Sequence, residues 1–427
     1  MSSVSLKHGS RSVMIDVDGF DLLGVLEPTS VPTSDAEAVA AVDDALGSPI
    51  GSPALEELAL GAKTAAIFVS GKDRVTRADV FMPRLIDVLV RAGLERSDIS
   101  VFMATGTHVA FRQQDRPLVL GPSFPDDIRV IGHDCTDRDA QVELGTTSFG
   151  NRVLVNRAAY EHDVKVLTGR ITHHYFAGFT AGRKAVLPGV SALETIQFNH
   201  RLVLSGPPEH PRHPDVGNGS IERNPVHLDM LEGARMFEPT FIVNTVIGAD
   251  HQVSRVVAGD LAQAHAAGCA TVAETFEVAI DRRAELAIGS CGGAPYDCSF
   301  MQALKTLMNT SACVADGGAF LLLAECPEGI KPDFLRWEHG PSLTEFAQQV
   351  VSDYDLTGHN TYLLREILER IDVILVSDCP QGEVERLGLV ATRTLEEGLR
   401  AATERLGTQA PTTYLIPYGN ITVVSAG

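Results

Sequence analysis

The sequence predicts an α/β protein of two domains with mainly parallel sheets and an active-site cleft between them. Three observations carry this. Apolar runs of strand length alternate with amphipathic stretches along the whole chain, which favours βαβ units. The alternation restarts near residue 286. At 427 residues, the chain is longer than one hydrophobic core usually organises. The domains are expected at 1–275 and 276–427, and the last strand is free to return to the first domain.

Residues 34–45, rich in Ala and Asp, read as a short solvated helix. Residues 65–69 (Ala-Ala-Ile-Phe-Val) read as a buried strand. A helix follows, with Asp79 as N-cap, Pro83 in the first turn and Gly93 at its end. Strands are expected at 99–104 and 163–167, and a helix over 193–204. A basic, proline-rich loop (205–225) leads to a helix over 226–237. Residues 240–247 and 253–257, joined by Gly248-Ala249-Asp250-His251, read as a hairpin. A long helix over 261–280 leads out of the first domain. The second has strands at 286–288, 319–323, 373–376 and 413–416, with helices near 300–308, 343–351, 362–370 and 395–405.

A formal net charge of −20 disfavours a nucleic-acid partner, since phosphates would be repelled. No apolar run reaches the ~18 residues of a membrane span, and residues 1–16 lack the pattern of a secretory signal. Seven dispersed cysteines without a C-x-x-C pair point to reduced thiols and the cytoplasm. Cys291 and Cys298 flank a Gly-Gly-Ala-Pro turn and read as buried thiols rather than ligands.

The densest chemistry lies at 173–189, where two histidines, three glycines, Arg183 and Lys184 sit together, followed by His200. Glycines let a backbone close around a polar ligand, cations attract an anion, and imidazoles move protons near neutral pH. Adjacent side chains diverge, so one of His173 and His174 faces the ligand. The strand over 99–104 runs into Thr105-Gly106-Thr107-His108 at its carboxyl end, where open α/β sheets bind ligands. His108 there is an acid/base candidate or a loop histidine bonded to backbone. Lys72-Asp73-Arg74-Val75-Thr76-Arg77 follows the first strand in the same way, and Asp297, Gln302 and Lys305 lie on or before a later helix. An arginine from one domain and a lysine from the other could hold a carboxylate, or these charges could cap helices at the surface. Gly-x-x-x-Gly-Arg-Lys is not a phosphate-binding P-loop: the spacing differs, and Ala185 stands where a Mg²⁺-binding hydroxyl belongs. No Gly-x-Gly-x-x-Gly occurs, which disfavours an ordinary dinucleotide dehydrogenase.

Together these residues resemble the nickel-pincer-nucleotide lactate racemases and related 2-hydroxyacid racemases and epimerases. The resemblance spans nearly the whole chain. It rests on His174, on Phe176-Ala177-Gly178-Phe179-x-x-Gly182-Arg183-Lys184-Ala185-x-x-Pro188-Gly189, and on His200. Thr105 to His108 and Gly293-x-Pro295-x-Asp297 leading to Gln302 and Lys305 match as well. The resemblance implies a soluble isomerase acting on a small, lactate-like 2-hydroxyacid. Its cofactor would be a pyridinium-3,5-bisthiocarboxylic acid mononucleotide carrying nickel, supplied by cofactor-biosynthesis enzymes.

It implies Lys184 as the covalent anchor, His200 as the metal ligand, and His108 and His174 as paired acid/base residues. Asp73, Thr105, Gly106, Gly178, Gly182 and Arg183 would surround the cofactor. Arg77, or Arg74 in its stead, would hold the substrate carboxylate, with Gln302, Lys305 and His359 also facing substrate. Three features depart from the family pattern. The Asp73–Arg77 stretch has an extra residue and no proline, His359 stands where lactate racemases carry tryptophan, and Met301 occupies an often aromatic position. These changes could admit another short aliphatic hydroxyacid, malate or a sugar acid. The residues alone also allow a metal-free racemase using two bases or a Schiff-base lysine, or a non-catalytic cofactor-binding protein.

Overall fold

Two parallel sheets organise the chain, each in its own unit. The computed structural model describes residues 3–29, 33–72, 74–337 and 342–426. Unit A comprises Ser30–Val203 and His213–Glu274; unit B comprises Met1–Thr29, Leu204–Arg212 and Thr275–Gly427.

The sheet of unit A has the order Val253–Gly259, Phe241–Ile247, Val164–Ile171, Ala65–Val69, Ile99–Met103, Arg129–Gly132. All neighbours are parallel except the hairpin pair Phe241–Ile247 and Val253–Gly259. The central strands are buried throughout because both faces are covered, and all but Ser100, Lys165, Thr168 and Arg170 of their non-glycine residues are apolar. Period-two geometry sends Ile67, Val69, Val101 and Met103 to the face holding Phe81 and Leu85 of the Ala78–Arg91 helix. Ala66, Phe68, Phe102 and Leu167 go to the other face, against Phe237 and Val186. Burying each such large side chain contributes roughly 1.5–3 kcal/mol.

The start of the Ala78–Arg91 helix differs from expectation. Its N-cap is Arg77, in the left-handed region at φ 55°, while Asp79 lies inside the first turn and Pro83 in the second. Asp79 occupies the second helical position, past the cap, and pairs with Arg77.

Unit B has a six-stranded, all-parallel sheet in the order Val390–Thr392, Asp372–Val376, Val314–Leu323, Ala284–Ser290, Thr412–Ile416, Asp21–Val25. The boundary expected near 275 is thus only part of the division, because residues 3–29 belong with the second sheet. Leu22 lies opposite Thr413 and Val25 opposite Leu415, so the segment completes a sheet edge. Such pairing is set by tertiary contact rather than by chain order, which is why the local pattern does not disclose it. The helix expected over 261–280 is Gln263–Phe276 and gives way to a strand, Glu277–Ile280, that pairs with Val423–Ala426. The chain's last strand therefore stays in unit B. Among the described residues, no helix is long and apolar enough to cross a membrane.

Candidate active site

Within unit A, the loops after the central strands carry the reactive side chains. The Ile99–Met103 strand leads into Thr105-Gly106-Thr107-His108, and the Val164–Ile171 strand into a two-residue ribbon, His173–His174 against Gly178–Phe179. Gly106 is held at φ 54°, and its amide donates to the Gly189 carbonyl at 2.9 Å. A Cβ there would come within 3.0 Å of the Pro188 oxygen. The glycine thus lets the His108 loop press against the turn that begins with the Gly182–Ala185 helical turn and carries Lys184. That turn closes on itself: Gly189 N donates to Lys184 O at 2.9 Å.

Phe176 gathers the site. Its ring meets the His174 ring edge-on at 4.3 Å and the His200 ring at 5.0 Å, and Lys184 Nζ stands 5.4 Å from its centroid. Lys184 and His200, distant in sequence, are thereby brought around one aromatic side chain. Of the histidine pair, His173 is buried against Phe179, ring to ring at 4.9 Å, while His174 joins the cluster.

Tyr175 links the cluster to the first strand's loop. Its ring stacks on His174 at 5.1 Å. Burial pushes its phenol well above the ordinary value, and the positive charge of Arg74 draws it partly back. Arg74 in turn lies with Nη2 3.3 Å from His108 Nε2. His174, Tyr175, Phe176, Lys184 and His200 thus share ring and cation contacts, and the Arg74–His108 pair acts on Tyr175 through its charge. Tyr175 and Phe176 were not singled out from sequence as site residues; their place inside the His-His-Tyr-Phe run is the signal that could have found them.

Several expected site residues have other engagements. Arg77 donates from Nε to Asp79 at 3.1 Å, from Nη2 to Asp35 at 2.8 Å, and from Nη1 to Gln252. Its guanidinium is committed to the entry of the Ala78–Arg91 helix, so Arg74 is the better placed of the two. Arg183 is 1% exposed and turned inward. Its Nη2 donates to Ala177 O at 2.7 Å and Phe179 O at 2.8 Å, and its Nη1 lies 3.0 Å from His265 Nε2. Burial lowers its pKa to about 10 and that of His265 to about 3. The arginine clamps the loop.

Gly178, at φ 74°, is explained by packing, since a Cβ would overlap the Ser220 carbonyl. Gly182 opens the Lys184 turn and donates its amide to Asn244 Oδ1 at 3.2 Å. Thr105 is buried, with Oγ1 3.4 Å from His133 O. Asp73 lies outside the described residues.

In unit B, Gln302 and Lys305 lie one turn apart on the Phe300–Thr310 helix, and Lys305 Nζ donates to Gln302 Oε1 at 2.6 Å. His359 is buried in the Gly358–Leu368 helix, stacked on Tyr354 with Nδ1 2.8 Å from its hydroxyl. Burial pushes its pKa down to about 3, so the ring is neutral. All seven cysteines are free thiols, and all but Cys298 are buried. Among the described residues, no group of three or more His, Cys, Asp or Glu could hold a metal ion by itself.

The donor set fits a nickel-bearing nucleotide that brings its own sulfur ligands. Lys184 offers a primary amine for a covalent link, and His200 offers one imidazole, a donor suited to Ni²⁺.

The family described as the lactate racemase N-terminal domain matches residues 8–210, and the lactate racemase C-terminal domain matches residues 280–424. The chain is 29% identical to the lactate racemase of Thermoanaerobacterium thermosaccharolyticum, with 94% of each chain covered. It is 30% identical to that of Lactiplantibacillus plantarum, covering 98% of this chain and 99% of the relative. The solved apoprotein of the T. thermosaccharolyticum enzyme superposes with a TM-score of 0.89 at 26% identity, over 99% of this chain and all of the other. A Thermotoga maritima protein shares the fold, with a TM-score of 0.68 at 17% identity over 93% of this chain and 100% of that one. By the matches to both of its domains and by likeness along nearly its whole length, the chain belongs to the lactate racemase family of isomerases.

Proposed function

We propose that the protein racemises or epimerises a small, lactate-like 2-hydroxyacid, using a nickel-pincer nucleotide anchored at Lys184. The observation that supports this best is the grouping of Lys184, His200 and His174 around Phe176. We further propose a cytoplasmic setting, with the cofactor loaded by its biosynthetic enzymes.

Lys184 would hold the nucleotide through a bond from its amine, and His200 would bind the nickel. When bound, the group supplies a reversible acceptor for hydride from the substrate's α-carbon. The rest falls to this chain's own residues. Arg74 binds and orients the carboxylate through charge-assisted bonds. His108 and His174 hold and return the hydroxyl proton, one for each enantiomer, so each must act in both protonation states. General acid–base help of this kind is worth about 10²–10⁴-fold in rate. Tyr175 and Phe176 line the site with buried aromatic surface, which excludes water and strengthens the charge interactions.

The test is protein co-expressed with cofactor-making enzymes, incubated in D₂O with enantiopure hydroxyacids and followed by chiral chromatography and mass spectrometry. Interconversion with the α-hydrogen retained is expected, together with loss of turnover in Lys184→Ala. Deuterium entering the α-position, or full activity in Lys184→Ala, would replace this reading with proton abstraction by two bases. Nucleotide uptake without turnover across the panel would make the protein a carrier.

A further inference from the structure

The metal role of His200 requires one ring nitrogen to present a lone pair, and the helix around it decides which. Asn199 and Asp229 are fully buried. Asp229 Oδ2 accepts from Asn199 Nδ2 at 2.8 Å and from Asn151 Nδ2 at 2.8 Å, while Oδ1 accepts from the Thr147 hydroxyl at 2.6 Å. Asn199 Nδ2 also donates to the Val226 backbone carbonyl at 3.0 Å. A carbonyl oxygen can only accept, and Oδ2 is already approached by the amide NH₂ of Asn151.

Turning the Asn199 amide over would set its oxygen against both acceptors, in a place water does not reach. A buried group left unpaired in that way costs about 1–3 kcal/mol. The amide is therefore fixed with Oδ1 outward, and Oδ1 lies 3.1 Å from His200 Nδ1. An amide oxygen accepts, so Nδ1 must carry the hydrogen.

We propose that Asp229 and Asn199 are positioning residues that lock His200 as the Nδ1–H tautomer, so that Nε2 is the nitrogen offered to the metal. This rests on the metal role given to His200 above. The partner at Nδ1 fixes the ring's orientation and raises its donor strength, as supports behind metal-bound histidines do. A neutral imidazole without such a partner prefers Nε2–H, so the network reverses the intrinsic preference. Thr147 and Asn151 hold the same carboxylate in place.

The experiment is long-range ¹H–¹⁵N correlation on metal-free protein labelled at histidine, at pH 8, with His200 identified by the signals lost in His200→Gln. The expected result is Nδ1–H in the wild type and a shift toward Nε2–H in Asn199→Leu. Nickel retained after co-expression and dialysis should fall about 10–100-fold in Asn199→Leu. An Nε2–H tautomer in the wild-type protein overturns the inference, whether or not Asn199→Leu folds. Nδ1–H in the wild type with nickel retention unchanged in His200→Gln would instead overturn the metal assignment and leave the tautomer lock standing.

Discussion

Arg74 and Arg77 stand three positions apart and keep different chemical company. The motif context favours Arg77, but a motif does not report which carboxylates a folded guanidinium will find, and here Asp35 and Asp79 take it. Charge-assisted bonds to a bound carboxylate are worth about 1.5–3 kcal/mol. Arg74→Ala should therefore lower kcat/KM about 10–100-fold with little change in thermal midpoint. Arg77→Ala should do the reverse: its partners are partly solvated, so the loss is about 1 kcal/mol or less of stability, with kcat/KM nearly unchanged. Steady-state kinetics beside thermal melts separates the two. The sequence singles out His174 and Lys184 by their residue types in one short, unusual pattern, whereas His200, on a later helix, gains its role only from the family resemblance. Asp229 was not legible, since a single acid inside a helix carries no sign of facing Asn199.

The Lys184 turn and the His108 loop show how elements far apart in sequence come to share a site. Gly106 makes the contact possible, so Gly106→Ala should meet both a left-handed backbone and the Pro188 oxygen. We expect a cost of about 1–3 kcal/mol and a loss of kcat larger than the loss of stability explains, checked by melts and kinetics on the same preparation. Arg183 supports the next stretch. Arg183→Met removes the guanidinium donor from the Phe179 carbonyl, at about 1–3 kcal/mol, and leaves the Ala177 carbonyl with the Phe179 amide alone. Hydrogen exchange should show faster amides over residues 177–185, and unchanged exchange there would contradict the clamp. Sequence pointed to Arg183 as a ligand contact because a cation among glycines looks like an anion site. Only the path of the chain shows that its own carbonyls occupy the guanidinium.

At the scale of the molecule, the parallel sheets were legible from alternation alone, because strands covered on both faces read as near-continuous apolar runs. The partnership of residues 21–25 with residues 412–416 was not legible, because an edge pairing depends on what the rest of the sheet leaves open. Burial also sets a whole-molecule response to acid. His227, His265 and His359 have pKa values lowered to about 2, about 3 and about 3. In the unfolded chain each titrates near 6.5. Below that pH the unfolded state takes up protons that the folded state refuses, so stability falls as pH drops from about 6.5 toward 3. The loss approaches about 1.4 kcal/mol per pH unit for each ring, and it vanishes above 6.5. Urea midpoints should drop between pH 7.5 and 5, and His359→Phe should flatten the dependence by about one proton; equal slopes would refute the assignment.

The strand at 21–25 carries one more consequence, for biosynthesis. Once synthesised, it must wait for a docking partner that emerges almost four hundred residues later. The lysine-bearing half can mature before that partner is made, whereas the other half becomes whole only afterwards.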